Sequence, residues 1–160
     1  MKRRFFAFAA IIAGGLVFAS FKNTDPAFPE VAYPQGYRDW THVKTYIVGP
    51  KSPAFKFIGG FNHVYANDKA LVGYKTGHFP NGSMIISDVI EAKEDSMNVR
   101  EGARHHIDVM VRDSVKYKEV GGWGFEEFVG TKRILTTQVR TACTNCHAKQ
   151  KDFVFSEYRE

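Results

Sequence analysis

The sequence lacks several features that would assign the chain to a common class of protein. It has only two cysteines in 160 residues, no internal repeats and no low-complexity segment. Repeat architectures and low-complexity proteins are therefore excluded. Beyond the N-terminus, no basic cluster indicates a nucleic-acid-binding surface. The length is sufficient for one domain with a hydrophobic core.

The N-terminus combines a basic start, an apolar run and small exit residues. Basic residues at positions 2–4 precede an apolar run over residues 5–18, and two small residues follow at 19–20. This order is typical of a secretory signal peptide, which we predict over residues 1–20, with export to the periplasm. An uncleaved membrane anchor is the alternative, but the run is shorter than the roughly 20 residues that span a bilayer. No cysteine lies near residue 20 to carry a lipoprotein anchor.

Most of the positive charge belongs to this segment. The whole chain has 22 Lys and Arg against 17 Asp and Glu, a net charge of +5. Removal of residues 1–20 takes away three basic residues and no acidic ones, which leaves 19 against 17 and a net charge of +2. Most of the net positive charge therefore belongs to the predicted signal peptide. We predict no nucleic-acid partner.

One motif carries most of the chemical information, Cys-Thr-Asn-Cys-His at residues 143–147. A disulfide between its cysteines would close a very small loop and add little stability. A thioredoxin-like redox pair opens a helix within a βαβ unit, but only 14 residues follow Cys146. A structural zinc site needs four protein ligands, and no other histidine forms a second spaced pair with a cysteine.

Covalent haem attachment gives each of the two cysteines and the adjacent histidine of this motif a chemical role. Two thiols at this spacing add to the two vinyl groups of a haem, and the adjacent histidine ligates the iron. An export signal would deliver the chain to the compartment where such attachment occurs. We therefore predict one covalently attached haem c, held by Cys143 and Cys146, with His147 as the iron ligand.

Short alternating segments between glycine-containing turns dominate the mature chain and are typical of strands. We predict an α+β fold, mainly antiparallel β-sheet with a few short helices and a C-terminal haem-attachment helix. The predicted strands are residues 43–48, 57–66, 84–91, 106–112 and 123–129. The predicted helices are residues 36–41, 67–77 and 137–149, and the polar residues 93–102 are predicted as a loop.

The predicted elements form a single unit behind a short leader. Three prolines at positions 26, 29 and 34 indicate an extended leader over residues 21–36. Residues 37–160 are predicted as one haem domain. The strand-like pattern argues against an all-helical cytochrome and against a four-helix cytochrome c′, which needs helical periodicity throughout.

Short motifs occur in a characteristic order between Tyr33 and the end of the chain. They are Gly36-Tyr37-Arg38-Asp39-Trp40, Val64-Tyr65-Ala66-Asn67, Phe79-Pro80-Asn81-Gly82-Ser83, Met110-Val111-Arg112-Asp113, Gly122-Trp123-Gly124-Phe125, and Cys143 to His147 with Phe153-Val154-Phe155-Ser156. Their order and spacing resemble the cytochrome P-460 family and its relative cytochrome c′-beta. The resemblance implies a haem lying against a mainly antiparallel sheet, with His147 on the proximal side and an open distal side.

The resemblance also implies two possible functions, which differ in the residues of the distal pocket. Members that oxidise hydroxylamine have a lysine cross-linked to the haem edge and a carboxylate above the iron that accepts a proton; gas-binding members have aromatic caps. The strand 61–66, where we expect the cross-link position, contains no lysine. Asp88 and Asp108, each in an otherwise apolar strand, are the candidate catalytic carboxylates. Phe61 is the candidate aromatic cap at the haem.

We therefore expect a haem protein that binds a small ligand such as NO or CO at an open distal site. The alternative is an oxidoreductase that oxidises hydroxylamine or NO and passes electrons to a soluble redox-partner cytochrome. A further alternative is a simple electron-transfer cytochrome with a second strong axial ligand. Candidates for that ligand are Met84, Met97, Met110, His63, His105 and His106.

Two further expectations concern the surroundings of the haem and the assembly. Arg140 and Lys149 flank the haem helix, where they would meet haem propionates or solvent. Relatives in the family are often homodimers, so the resemblance also implies a possible homodimer.

Overall fold

The computed structural model describes residues 28–159, which form one antiparallel sheet with short helices around it. The predicted signal peptide, residues 1–20, lies outside the described residues. Each strand pairs with the next one along the chain, so the order in the sheet is the order in the sequence. The strands are β1 Thr41–Val48, β2 Gly60–Ala66, β3 Met84–Glu94, β4 Val99–Arg112, β5 Trp123–Val129 and β6 Lys132–Arg133.

Three α-helices and three short 3₁₀ turns complete the structure of these residues. The helices are α1 Phe55–Ile58, α2 Asp68–Thr76 and α3 Thr137–His147, and the 3₁₀ turns are Tyr37–Asp39, Lys118–Val120 and Lys151–Phe153. The Asn67 side chain caps α2 by accepting from the Ala70 amide, and Gly77 ends it in the left-handed conformation. The predicted α+β fold with a C-terminal helix is confirmed. Within residues 28–159, none of the helices combines the length and the apolar character that crossing a membrane requires.

Two predictions of secondary structure are wrong. Phe57 and Ile58 belong to the short helix α1 rather than to the strand that follows. The polar stretch 93–102 is not a loop but the outer part of a long β3–β4 hairpin, whose turn is 95–98. This part of the hairpin is mostly exposed on both faces, so its strands carry no apolar alternation. The Asp95 carboxylate accepts hydrogen bonds from the Met97 and Asn98 amides and closes the turn.

The two faces of the sheet pack against different parts of the chain. What we call the front face carries the buried side chains of Val64, Ala66, Ile85, Met110, Trp123 and Phe125. Residues of α2, α3 and the C-terminal segment pack on it, among them Leu71, Cys143 and Phe153. The helix with the Cys-Thr-Asn-Cys-His motif therefore packs on the front face.

The back face is covered by the segment that precedes β1. It carries Ile86, Ile107, Val109 and Phe128, and the residues packed on it are Val31, Tyr37, Tyr117 and their neighbours Tyr33 and Trp40. Tyr33 meets Phe128 edge to face with ring centroids 5.2 Å apart. The described part of the leader, residues 28–36, thus contributes to the core on this side.

A carboxylate is buried on the back face and neutralised there. The side chain of Asp88 in β3 is only 1% exposed. It accepts hydrogen bonds from the Tyr37 hydroxyl at 2.7 Å and from the Arg38 guanidinium at 2.9 Å. Arg104 of β4 adds a two-pronged contact, with Nε 2.8 Å from Oδ1 and a terminal nitrogen 3.0 Å from Oδ2. This network fastens the segment before β1 to the middle of the sheet.

We expect Asp88→Asn to destabilise the domain by about 2–3 kcal/mol, because the two arginines lose a charged acceptor while both retain partial access to water. Urea unfolding followed by far-UV circular dichroism measures the change. Glu119→Gln is the matched control, because Glu119 is 67% exposed and pairs only with exposed Lys118. Equal stability of the two variants would contradict a structural role for the Asp88 network.

Candidate functional site

Helix α3 places the attachment motif against the front face. Thr136 caps the helix by accepting from the Val139 amide. Arg140, Cys143 and His147 are spaced three and four residues apart, so they share the side of the helix that faces the sheet. Cys143 packs on the front-face core, whereas Cys146, three residues later in the helix, is exposed.

The His147 side chain is held on three sides. Its Nδ1 donates to the carbonyl oxygen of Phe153 over 2.7 Å. Its ring lies 4.9 Å, between centroids, from Phe125 of the sheet and equally far from Phe155 of the C-terminal segment. Burial lowers the pKa of His147, so the neutral imidazole is favoured. A neutral ring whose Nδ1 is a donor presents Nε2 as the metal-binding nitrogen.

The acceptor carbonyl is supplied by a strained turn. Asp152 and Phe153 have φ angles of 48° and 65°, a left-handed conformation that non-glycine residues rarely adopt. The Asp152 carboxylate accepts from the Phe79 amide at 3.2 Å, and the Phe153 ring packs into the front-face core against Gly121. These contacts stabilise the turn and hold the Phe153 carbonyl in front of His147.

The environment of Cys143 disfavours a thioredoxin-like pair. Burial raises the pKa of the Cys143 thiol to about 11. A thioredoxin-like pair needs a cysteine with a lowered pKa, which this environment does not provide. Among residues 28–159, the one group of three metal-ligating side chains close enough to share an ion contains neither cysteine. A thioether, which carries no charge, suits the environment of Cys143.

Arg140 has a different partner from the one expected. Instead of reaching solvent or a haem propionate, its guanidinium pairs with Glu126 of β5. The Glu126 side chain is 0% exposed and also accepts from the Leu135 amide at 3.3 Å. The pair therefore anchors both α3 and the segment leading into it to the sheet.

Polar side chains gather on the front face near α3. By the alternation of the strands, Tyr46, Ser87, Asp108 and Glu127 all project on this side. The charge of Asp108 contributes to the pKa values of both His147 and Cys143, so it lies within electrostatic reach of the motif. Burial raises the pKa of Glu127. An open cavity of about 310 Å³ borders Glu127 and His106.

The structure separates the three distal candidates that the sequence offered. Asp108 lies on the front face, on the same side as the attachment motif. Asp88 and Phe61 project from the back face: Asp88 alternates with the front-face residue Ser87, and Phe61 pairs with Ile90 and Ile47. Asp88 is also fully engaged by two arginines. The geometry does not bring Asp88 or Phe61 to the motif.

The candidates for a second axial ligand are also dispersed. Met84 and His63 lie on the back face, and Met97 is 86% exposed at the hairpin tip. Met110 is buried in the front-face core. His106 faces the same side as the motif and borders the front-face cavity, which His105 also borders. The two ring nitrogens of His106 lie 3.6 Å and 3.5 Å from oxygens of Asp108 and Glu127.

Sequence reasoning missed Glu126 and Glu127. Both lie in the run Phe-Glu-Glu-Phe, where two adjacent acids must point to opposite sides of a strand. Two adjacent acids in a strand indicate that one of them points into the protein. The pattern does not show which of the two does so, or which residue neutralises its charge. The pairing of Glu127 with Asp108 across β4 and β5 depends on a register that the sequence alone does not define.

A sheet that carries a Cys-x-x-Cys-His helix on one face, with the histidine oriented by a backbone hydrogen bond, is the arrangement expected of a haem-binding cytochrome. The chain belongs to the cytochrome P460 family, whose model matches residues 34–156. The resemblance identified from the sequence motifs is thereby confirmed. A search of curated proteins finds no match.

We expect Arg140→Ala to destabilise the domain by about 3 kcal/mol, because it leaves the Glu126 carboxylate buried without a counter-ion. Loss of the anchor of α3 should also lower the yield of haem attachment on co-expression with a maturation system. Chemical denaturation and the ratio of Soret to protein absorbance measure the two effects. Lys149→Ala, at an exposed position just beyond the same helix, is the control. An unchanged haem yield in Arg140→Ala would show that the ion pair does not position the motif.

Proposed function

We propose that this chain is an exported mono-haem c-type cytochrome that binds a small ligand such as NO or CO at an open haem site. Cys143 and Cys146 would hold the haem through thioether bonds, and His147 would ligate its iron. The observation that carries the proposal is the hydrogen bond from His147 Nδ1 to the Phe153 carbonyl, which leaves Nε2 for iron.

The residues around the motif fit a haem. Phe125 and Phe155 offer apolar surface beside His147, and the neutral imidazole needs no deprotonation to bind metal. When bound, haem supplies an iron centre that binds diatomic ligands and exchanges electrons. The protein's part is to fix the tautomer and orientation of His147 and to limit the access of water on that side.

The positions of the candidate second ligands favour ligand binding at the haem over simple electron transfer. Four of the methionines and histidines considered as second ligands lie on the back face, at the hairpin tip or inside the core. A five-coordinate iron is the state that accepts a gas, whereas two strong axial ligands suit electron transfer alone. His106 faces the same side of the sheet as the motif, where it is flanked by Asp108 and Glu127.

The proposal includes the cellular setting. The basic, apolar and small-residue order of the N-terminus supports export to the periplasm, where haem would be attached. A soluble cytochrome would act as redox partner if the protein turns over a substrate, and a homodimer is compatible with the exposed edge strand β1.

A second candidate function is oxidation of hydroxylamine or NO, and the acids of the front face favour it. Proton-coupled oxidation needs a base within reach of the bound substrate. Asp108 and Glu127 lie on the same side as the motif, and burial raises the pKa of Glu127 towards the range that suits proton transfer. Asp108 is the one of the two sequence-predicted carboxylates that remains a candidate for this role.

We expect His147→Ala to lose the axial ligand while retaining attached haem, because the cysteines are unchanged. The ferrous spectrum should shift from that of a histidine-ligated haem, and added imidazole should restore it. His78→Ala, an exposed histidine at the end of α2, is the control and should match the parent protein. A parent-like spectrum of His147→Ala without imidazole would overturn the assignment of the ligand.

The ferrous spectrum of the parent protein distinguishes the functions. A high-spin spectrum that changes on addition of CO or NO is expected for ligand binding. A strongly red-shifted Soret band would indicate a haem cross-linked to a lysine and favour the enzyme. A low-spin spectrum unchanged by CO would contradict both and leave electron transfer.

If the protein oxidises hydroxylamine, Glu127→Gln and Asp108→Asn should identify the base. Loss of a general base lowers the rate by about 100-fold or more, while CO binding should persist. Since the base acts in its ionised form, the rate should fall as the pH decreases, and for Glu127 this fall should occur at a higher pH than for an ordinary glutamate. Stopped-flow rates across pH measure both effects. Undiminished rates in both variants would exclude these acids.

A further inference from the structure

We propose that His106, Asp108 and Glu127 form a binding site for a divalent first-row transition-metal ion, separate from the haem iron. One ligand atom from each of the three side chains lies within 4.8 Å of the others. The site goes beyond ligand binding at the haem, since it would give the protein a second metal.

The sheet brings the three side chains together by register. His106 and Asp108 are two residues apart in β4, so both project from the front face. Asp108 pairs directly with Glu127 of β5. Directly opposed acids on one face of a sheet repel each other, which an intervening cation or proton would relieve.

The distances within the group are longer than good hydrogen bonds, which measure about 2.7–3.2 Å between nitrogen and oxygen. His106 Nε2 is 3.6 Å from an Asp108 oxygen, and His106 Nδ1 is 3.5 Å from a Glu127 oxygen. Two ligands that are each about 2.0–2.2 Å from one tetrahedral metal ion lie roughly 3.3–3.6 Å apart, and the pair of Nε2 and Asp108 has that spacing. One ion binds only one nitrogen of the ring, so Glu127 must turn from Nδ1 towards Nε2 for all three side chains to bind the same ion.

The environment of His106 Nε2 points to it as the ligand atom. The His106 side chain is only 10% exposed, and its Nε2 is buried and makes no hydrogen bond of normal length, since its Asp108 neighbour is 3.6 Å away. Leaving a buried polar nitrogen unsatisfied costs about 1–3 kcal/mol, so such atoms in native proteins usually have a specific role. A metal ion bound at Nε2 would supply the missing interaction.

The surroundings leave room for the remaining coordination positions. The cavity of about 310 Å³ beside His106 and Glu127 is open on one side, so water or a small ligand can reach an ion there. Lys56 borders the same cavity, but its ammonium lies over the Phe57 ring at 4.7 Å. Two carboxylates outweigh this single positive charge. Three protein ligands with an open position are typical of catalytic rather than structural metal sites.

The donor set selects the class of ion. One imidazole nitrogen and two carboxylate oxygens suit Zn²⁺, Mn²⁺ or Fe²⁺, whereas the all-oxygen sites of Ca²⁺ and Mg²⁺ do not use imidazole. Zn²⁺ is the probe of choice, because it has no redox chemistry that would interfere with the haem spectrum.

The test is isothermal titration of ZnCl₂ into the tag-free, haem-loaded protein. We expect one ion per chain, with little heat from MgCl₂. Asp108→Asn, Glu127→Gln and His106→Gln should each weaken Zn²⁺ binding at least about tenfold, since each removes one ligand. Asp108→Asn and Glu127→Gln preserve side-chain volume, so they test the proposal even if His106→Gln folds poorly. Circular dichroism of each variant checks the fold.

The matched control is Glu101→Gln. Glu101 pairs with His63 at 2.8 Å elsewhere on the sheet, and this pair is a second histidine–carboxylate contact within residues 28–159 at which Zn²⁺ could bind adventitiously. Loss of binding in this control with retention in the three test variants would overturn the proposal, as would the absence of binding to the haem-loaded protein. The CO-difference spectrum of the same samples reports on the haem site separately, so failure of one proposal is distinguishable from failure of the other.

Discussion

The hydrogen bond from His147 to the Phe153 carbonyl is the interaction on which the rest of the site depends. It determines which ring nitrogen is available to a metal, because Nδ1 is occupied by the Phe153 carbonyl and Nε2 lies on the other side of the ring. The acceptor is a backbone atom in a left-handed turn, and the turn is held by Phe79 and by the packing of Phe153 in the core. The orientation of the ligand therefore follows from the tertiary structure rather than from the motif itself.

The sheet divides the acidic residues into two kinds of environment. Asp88 and Glu126 are almost fully buried, and each is neutralised by arginine, so their role is to fasten one segment to another. Asp108 and Glu127 meet on the front face and have a histidine rather than an arginine beside them. Histidine can give up its charge near neutral pH, so these two acids retain the capacity to bind a cation or a proton. Electrostatic neutralisation thus separates structural carboxylates from those available for chemistry.

The sequence predicted most of the fold because the strands alternate clearly and α2 has both of its terminal signals. It failed where alternation is uninformative: the outer β3–β4 hairpin is exposed on both faces, and Phe57-Ile58 is too short a run to separate helix from strand. The sequence was enough to propose Cys143, Cys146 and His147 as one site, because the three residues lie within five consecutive positions. The distal side could not be predicted, because a shift of one residue in register exchanges the faces, and Asp88 and Asp108 look equivalent until the pairing is known.

The linear order of the sheet has a consequence for when the haem motif becomes buried. Each strand pairs with its sequence neighbour, so the sheet can assemble progressively as the chain emerges from its N-terminal end. Helix α3 follows the last strand, and the turn that holds His147 comes later still. The two thiols can therefore stay accessible on a nearly complete domain, while the final residues, Phe153 and Phe155, close over the histidine afterwards.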